Sequence, residues 1–259
     1  MKAYRGRFVR QVLARGLALV LGLSSGLLYA QQLTIAGASS LRPTLDYIAD
    51  RYEQQHPGSD IAIIYGSSGR LSAQIINGAP FEVFLSADTE YPRRLRERLP
   101  EAGEPQIYAL GRLVLWSATL DASALTLQDL THDDIRRIAI AQPAVAPYGE
   151  RARQALQAAN VWDAVQTKLV FGENISQTAQ MTASGAADVG LFAQSLAVRP
   201  ELAEGTWRLL DDSLHEPLEH AMLITPRGLE HPYADAFVTF MKSEEVREIL
   251  VRQGFQVPD

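Results

Sequence analysis

Cysteine is absent from all 259 residues of the sequence. The chain therefore has no disulfide framework and no thiolate for a metal or redox centre. The nucleotide-binding signatures G-x-x-x-x-G-K-[ST] and G-x-G-x-x-G are missing as well, and no G-x-S-x-G elbow occurs after residue 30. These absences exclude thiol chemistry and leave the common nucleotide-dependent and serine-hydrolase classes without their usual motifs.

Acidic residues are missing from the first thirty positions, unlike the rest of the chain. An apolar stretch at 17–28 and the small residue Ala30 follow a basic start. The five basic residues are Lys2, Arg5, Arg7, Arg10 and Arg15. This pattern predicts a secretory signal peptide over residues 1–30, with cleavage after Ala30.

Positive charge is scarce once that segment is removed. The 24 Lys and Arg fall to 19 against 30 Asp and Glu, which is a net charge of −11. An acidic chain of this kind is a poor candidate for nucleic-acid binding. No second apolar stretch is long enough to span a bilayer. We therefore expect a soluble protein of a Gram-negative periplasm, held together by core packing rather than disulfides.

Apolar runs alternate with helical patterns along the mature chain, which predicts an α/β fold. Two successive sets of these units, without a flexible linker between them, indicate two lobes. The predicted strands are 33–36, 61–65, 81–85 and 110–117 in the first set, and 135–141, 167–171, 189–193, 207–210 and 219–225 afterwards. A single helix is expected near the C-terminus, with its apolar positions between 236 and 251.

Four of the turns between a strand and a helix share one chemistry, because each carries small, hydroxyl or polar residues where the helix begins. They lie at 38–40, 66–69, 147–149 and 174–176, two in each predicted lobe. A helix start has unpaired N–H groups and the positive end of the helix dipole, so it can hold an anion. Ordinary helix capping explains any one of these turns equally well. If the lobes face each other, however, all four can converge on one cleft.

Other candidate sites are less well supported by pattern. His215 and His220 resemble a zinc motif, but they are five residues apart and Pro217 interrupts any helix between them. A metal-dependent hydrolase using this pair stays open as an alternative of a different class. Arg70 follows the 66–69 turn and is expected at the rim of the cleft, pointing outward. Asp88 is expected to have a structural role.

Several motifs, in this order, resemble those of the periplasmic molybdate-binding proteins of ABC uptake systems. They are Ala-Ser-Ser-Leu at 38–41, Gly-Ser-Ser-Gly at 66–69, Asn-Gly-Ala-Pro at 77–80, Val-Phe-Leu-Ser-Ala-Asp at 83–88, Gly-Arg-Leu-Val-Leu-Trp-Ser at 111–117, Ala-Pro-Tyr-Gly at 146–149 and Thr-Ala-Ser-Gly-Ala-Ala-Asp at 182–188. The resemblance covers nearly all of the mature chain.

This resemblance implies a two-lobed periplasmic binding protein fold of type II, with the ligand cleft between the lobes. Lobe I is expected to contain residues 31–112 and 222–259, and lobe II residues 113–221. The oxyanion site implied by the family motifs consists of Ser39, Ser40, Ser68, Tyr148 and Ile175. Ala193 stands where some family members have a tyrosine, and Tyr148 is expected to supply the missing hydroxyl.

The function implied is capture of molybdate, and of tungstate because of its nearly equal size and charge, for delivery to an ABC-type membrane permease. The runner-up is a receptor for another oxyanion such as sulfate or phosphate. We expect a monomer without cofactor or cationic metal, and no catalysis, because no activated nucleophile or acid–base pair is visible.

Overall fold

The computed structural model describes residues 32–42 and 44–258. The predicted signal peptide, residues 1–30, lies outside the described residues. Over the described ranges, no helix combines the length and apolar character needed to cross a membrane.

Strands and helices alternate through most of the chain, as the hydrophobic pattern predicts. The strands are β1 Gln32–Ala38, β2 Asp60–Gly66, β3 Val83–Ser86, β4 Gln106–Gly111, β5 Leu113–Ser117, β6 Ile138–Ala141, β7 Leu169–Gly172, β8 Val189–Ala193, β9 Thr206–Leu209 and β10 Leu218–Ile224. The α-helices are α1 Thr44–Gln55, α2 Ser68–Ile76, α3 Glu90–Arg98, α4 Pro147–Ala158, α5 Trp162–Val165, α6 Ile175–Ala183, α7 Gln194–Ala197, α8 Ala234–Phe240 and α9 Glu244–Arg252.

The strands form two five-stranded sheets, in the orders β2-β1-β3-β10-β4 and β7-β6-β8-β5-β9. Three strands of each sheet run parallel, because each is connected to the next by a helix that crosses over the sheet. The remaining strands pair antiparallel. Each sheet is therefore mixed, and the carboxyl ends of its parallel strands lead into the turns that the sequence singles out.

The chain crosses between the sheets twice. The predicted single strand 110–117 is wrong: it is the end of β4 in the first sheet and all of β5 in the second, separated by Arg112. The chain returns between β9 and β10. Because Leu218 pairs with Gly111 and all of β10 lies in the first sheet, residues 218–221 belong with lobe I. The predicted boundary after residue 221 is therefore four residues too late.

Helix α1 shows how the local pattern produces burial. Leu45, Ile48 and Tyr52 recur at helical spacing and are fully buried. The aliphatic side chains of Leu45 and Ile48 each contribute roughly 1.5–3 kcal/mol when they leave water. Leu45, Ile48 and Tyr52 belong to an apolar cluster that also contains residues of the second sheet, where Trp116 and Phe192 pack together. A second cluster, which includes Leu71 and Phe84, lies in the first lobe alone.

The predicted single C-terminal helix is wrong as well. It consists of α8 and α9, and the break falls at residues 241–243. Ser243 caps α9, since its hydroxyl accepts a hydrogen bond from the Val246 N–H at 3.3 Å. Apolar spacing continues across the break, so periodicity alone cannot reveal it. Gly254 then ends α9 with a positive φ of 81°.

Candidate functional site

A small cavity lies between the two sheets, at the carboxyl ends of their parallel strands. All five residues predicted for the oxyanion site line it. The lining consists of Ala38, Ser39, Ser40, Gly66, Ser67, Ser68, Ala87, Ala146, Pro147, Tyr148 and Ile175. The four turns that share one chemistry therefore meet at one place, as the sequence pattern predicts for lobes that face each other.

Ser40 contributes a buried hydroxyl to the lining of the cavity. It lies in a short 3-10 turn, Ser39–Leu41, directly after β1, and it is fully buried. Its Oγ has no hydrogen-bond partner among the described residues. Its carbonyl oxygen accepts a hydrogen bond of 2.8 Å from Ser195 Oγ, which anchors the turn. A buried hydroxyl left without a partner costs free energy, and a bound anion would remove that cost.

Ser68 is the first residue of α2 and is likewise fully buried. Its Oγ accepts a hydrogen bond of 3.0 Å from the Ala87 N–H. Because that bond uses a lone pair, the hydroxyl proton stays available to donate into the cavity. The structure thus orients this side chain through a neighbouring strand end of the same lobe.

Ser67 is not among the residues that the family motifs imply for the oxyanion site. It precedes α2 as the N-cap residue, yet its side chain makes no capping bond. It is 4% exposed, lines the cavity, and its Oγ has no partner within the described chain. Its position beside Ser68 in the same turn could have indicated that it also lies at the cavity. The family motif pointed to the second serine, so the first received no role.

The second lobe contributes the starts of two helices. Pro147 is the first residue of α4 and has no N–H, so the first free N–H of that helix belongs to Tyr148. Ile175 is the first residue of α6. The side chain of Asn174 caps α6 by accepting from the Gln177 N–H at 3.1 Å. The N–H of Ile175 has no intrahelical partner because it belongs to the first helical residue. These two helix starts place backbone donors and positive dipole ends at the cavity.

Tyr148 is 2% exposed and is one of the residues that line the cavity. Its hydroxyl lies 3.3 Å from Nε2 of His220, a fully buried residue of β10. Burial raises the pKa of the Tyr148 phenol and lowers the pKa of His220 to about 3. Both groups are therefore uncharged at neutral pH. Ala193, the last residue of β8, is buried within the second sheet, where it pairs with Leu113, and is not among the residues that line the cavity.

No charged side chain is found among the described residues that line the cavity. Arg70 lies at the rim, as expected: its Nη1 is 2.8 Å from Glu173 Oε2, and the two side chains are 53% and 61% exposed. Asp88 is buried nearby and accepts hydrogen bonds from Ser86 Oγ at 2.9 Å and from the Tyr91 N–H at 3.2 Å. Burial raises the pKa of this carboxyl group. Asp88 thus braces the loop after β3, which is the structural role expected of it.

Direct hydrogen bonds close the two lobes around the cavity. Ser176 Oγ donates to the Ser39 carbonyl oxygen at 2.9 Å, and its N–H lies 3.4 Å from Ser39 Oγ. The Gly69 N–H donates to the Val145 carbonyl oxygen at 2.9 Å. A Cβ at Gly69 would lie 2.9 Å from that same oxygen and 2.7 Å from the Tyr91 hydroxyl. Glycine is therefore required for the lobes to approach this closely.

The proposed metal pair does not form a centre. His220 is buried against Tyr148, whereas His215 Nδ1 lies 2.8 Å from the Glu216 carbonyl oxygen. Within residues 32–42 and 44–258, no group of three His, Asp or Glu side chains could hold a metal ion. The hydrolase alternative therefore gains no support from the described structure.

Two mixed sheets, a double crossing and a donor-lined cleft define the class as a two-lobed periplasmic binding protein of type II, as expected. The chain belongs to the bacterial extracellular solute-binding protein family, whose model matches residues 33–256.

Two curated relatives are similar over most of their length. The molybdate-binding protein ModA of Rhodobacter capsulatus is 34% identical over 247 residues, covering 93% of this chain and 94% of the relative. ModA of Azotobacter vinelandii is 33% identical over 246 residues, covering 92% and 96%. These identities explain why the motif resemblance extends over nearly all of the chain after residue 30.

Solved structures agree on the fold. The periplasmic molybdate-binding protein of Azotobacter vinelandii matches with a TM-score of 0.81 at 31% identity, covering 88% of this chain and 100% of that one. The sulfate-binding protein SubI of Mycobacterium tuberculosis matches with a TM-score of 0.72, but at only 14% identity. The second likeness concerns the fold alone, so the architecture does not by itself choose the anion.

Proposed function

We propose that this chain is a periplasmic receptor that closes its two lobes on molybdate and delivers it to an ABC-type membrane permease. One observation carries the proposal: neutral hydrogen-bond donors from one 3-10 turn and three α-helix starts line a single cavity. Ser39, Ser40, Ser68, Tyr148 and Ile175 are the proposed ligand-binding residues. The two relatives that carry the name molybdate-binding protein support molybdate as the choice of anion.

A lining rich in donors suits a fully ionised oxyanion. Such an anion only accepts hydrogen bonds, and each bond from a hydroxyl or N–H group is charge-assisted. Phosphate near neutral pH retains a proton, which requires an acceptor that a carboxylate would supply. No carboxylate lines the cavity in the described part of the chain. The lining therefore favours molybdate, tungstate and sulfate over phosphate.

Size then distinguishes among the ionised tetrahedral anions. The donors lie in turns and at helix starts and are anchored by hydrogen bonds such as that from the Ala87 N–H to Ser68 Oγ. Moving them inward to contact a smaller anion would therefore cost free energy. Sulfate has shorter bonds than molybdate and would meet some donors at longer distances. Tungstate closely matches molybdate in size and charge. We therefore propose that the site takes molybdate and tungstate, with sulfate as the runner-up.

The same arrangement explains binding without catalysis. Hydroxyls and backbone N–H groups stabilise the charge of an anion, but they offer no nucleophile or general base of suitable pKa. The anion is the transported ligand rather than a cofactor. We further propose that the receptor works as a monomer, since each chain carries both halves of its own site.

Titration calorimetry with molybdate, tungstate, sulfate and phosphate tests this function on the mature chain. We expect one site per chain, micromolar or tighter binding of molybdate and tungstate, weaker binding of sulfate, and no measurable heat with phosphate. Tight binding of sulfate with none of molybdate would overturn the choice of anion. Hydrolytic activity sensitive to a chelator would instead favour the metal-dependent enzyme.

A further inference from the structure

One polar contact joins the lobes behind the cavity. His220 is on β10 of the first sheet, and Tyr148 is on α4 beside the second sheet. The Tyr148 hydroxyl oxygen lies 3.3 Å from His220 Nε2. A Cβ at Gly111 would collide with that hydroxyl and lie 2.8 Å from Nε2. Strand β4 therefore ends in glycine, the one residue type that leaves space for this contact.

The His220 ring lies in an aromatic enclosure. The rings of Tyr108 and Phe255 approach it edge to face, with centroids 6.0 Å and 5.2 Å away. The two titratable groups that face the ring are the phenols of Tyr108 and Tyr148, and burial raises the pKa of both. Burial lowers the pKa of His220 to about 3, so the imidazole is neutral and carries one proton. The nitrogen that holds this proton decides the direction of the bond to Tyr148.

The two tautomers have different consequences for the ligand. If Nδ1 carries the proton, Nε2 accepts the hydrogen bond and the Tyr148 proton is used inside the protein. If Nε2 carries the proton, it donates to the Tyr148 oxygen and the phenol O–H is free to donate elsewhere. Nδ1 has no partner within the described residues in either case. The second arrangement therefore makes one more hydrogen bond whenever an anion occupies the cavity.

We propose that His220 is a positioning residue that donates from Nε2 to the Tyr148 hydroxyl and so directs the phenol proton to the bound oxyanion. The inference rests on the proposed oxyanion function. In such a chain of donors each bond polarises the next, so the phenol becomes a better donor to the anion. A residue on the first lobe would thus control a donor that belongs to the second lobe.

Nitrogen NMR on the mature protein with labelled histidine reads the tautomer directly. The chain has five histidines, and the His220 signals are identified by their loss in His220→Gln. We expect the Nε2–H form of a neutral ring when molybdate is bound at neutral pH. An Nδ1–H ring in the molybdate complex would overturn the inference.

Variants measure whether His220 acts through Tyr148. His220→Leu is expected to weaken molybdate binding about 3- to 10-fold, the usual effect of one hydrogen bond. His220→Gln should recover most of that loss, because its amide can donate near the position of Nε2. In a Tyr148→Phe background, His220→Leu should cause little further loss, whereas in a Ser68→Ala background the full loss should remain.

Additive losses in the Tyr148→Phe background would show a merely structural effect and overturn the inference. Equal or tighter binding by His220→Leu would also overturn it, since that result is expected if His220 normally consumes the phenol proton. Wild-type calorimetry separates the two proposals. Absence of molybdate binding would reject the proposed function, whereas binding with an Nδ1–H ring would reject the positioning role alone.

Discussion

The two lobes contribute donors of different kinds to the same cavity. The first lobe presents side-chain hydroxyls, from Ser39, Ser40, Ser67 and Ser68. The second lobe presents the backbone at two helix starts, with Tyr148 as its single hydroxyl side chain at the cavity among the described residues. One half of the site therefore depends on residue identity, and the other depends mainly on backbone geometry. Side-chain substitutions should therefore weaken the first half, whereas the second half should be weakened mainly by substitutions that remove a backbone N–H.

Removal of both buried hydroxyls of the first lobe should have the largest effect. We expect Ser40→Ala with Ser68→Ala to weaken molybdate binding by about 3 kcal/mol or more, since a single hydrogen bond to a charged group contributes roughly 1.5–3 kcal/mol. Ser68→Ala alone should cost about 1.5–3 kcal/mol. Calorimetry measures both. Ser184→Ala, at an exposed position outside the cavity, is the matched control and should bind as the wild type does. Unchanged affinity in the double variant would remove these serines from the site.

Ile175→Pro should remove a backbone N–H donor of the second lobe from the cavity without changing any hydroxyl. Position 175 is the first of α6, where proline is tolerated, and Asn174 has the extended backbone that precedes proline easily. Loss of this N–H should weaken molybdate binding by about 1.5–3 kcal/mol. Ile175→Val keeps the N–H and is the control in the same calorimetric titration. Equal affinities of the two variants would show that the Ile175 N–H does not contact the anion.

The exposed ion pair between Arg70 and Glu173 at the rim of the cavity should affect molybdate affinity far less. Arg70 and Glu173 are more than half exposed, and pairs of this kind contribute about 0.2–1 kcal/mol. We expect Arg70→Ala to reduce molybdate affinity by no more than this, and the difference from the wild type should shrink in high salt. A loss as large as that of Ser68→Ala would mean that Arg70 contacts the ligand, contrary to its place at the rim.

A change of pH should have the smallest effect on molybdate affinity. Burial raises the pKa of Tyr148, so its phenol keeps its proton, and burial lowers the pKa of His220 to about 3, so its ring stays neutral. We therefore expect molybdate affinity to be nearly constant between about pH 6 and pH 9, where neither shifted group titrates. Calorimetry across this range gives the slope. A fall in affinity around pH 6–7 would indicate that His220 titrates despite its burial.

Local pattern predicted the central strands of both sheets and the turns that meet at the cavity, because buried strands and helix starts have short-range signatures. It did not predict the break at Arg112, since the apolar run continues while the chain passes from one sheet to the other. The break before Ser243 was hidden for the same reason, because α8 and α9 share one apolar spacing. Ser67 was missed because two adjacent serines look alike until burial and partners distinguish them.

The sequence by itself determined the α/β class, the two sets of units and the types of donor at the helix starts, because these depend on residues close together in the chain. Only the tertiary structure decided that all four turns meet at one cavity between the two sheets. It also brought His220 to Tyr148, 72 positions earlier in the chain, and placed both against Gly111. Such pairings follow from the packing of two lobes on one core, and no local pattern carries that information.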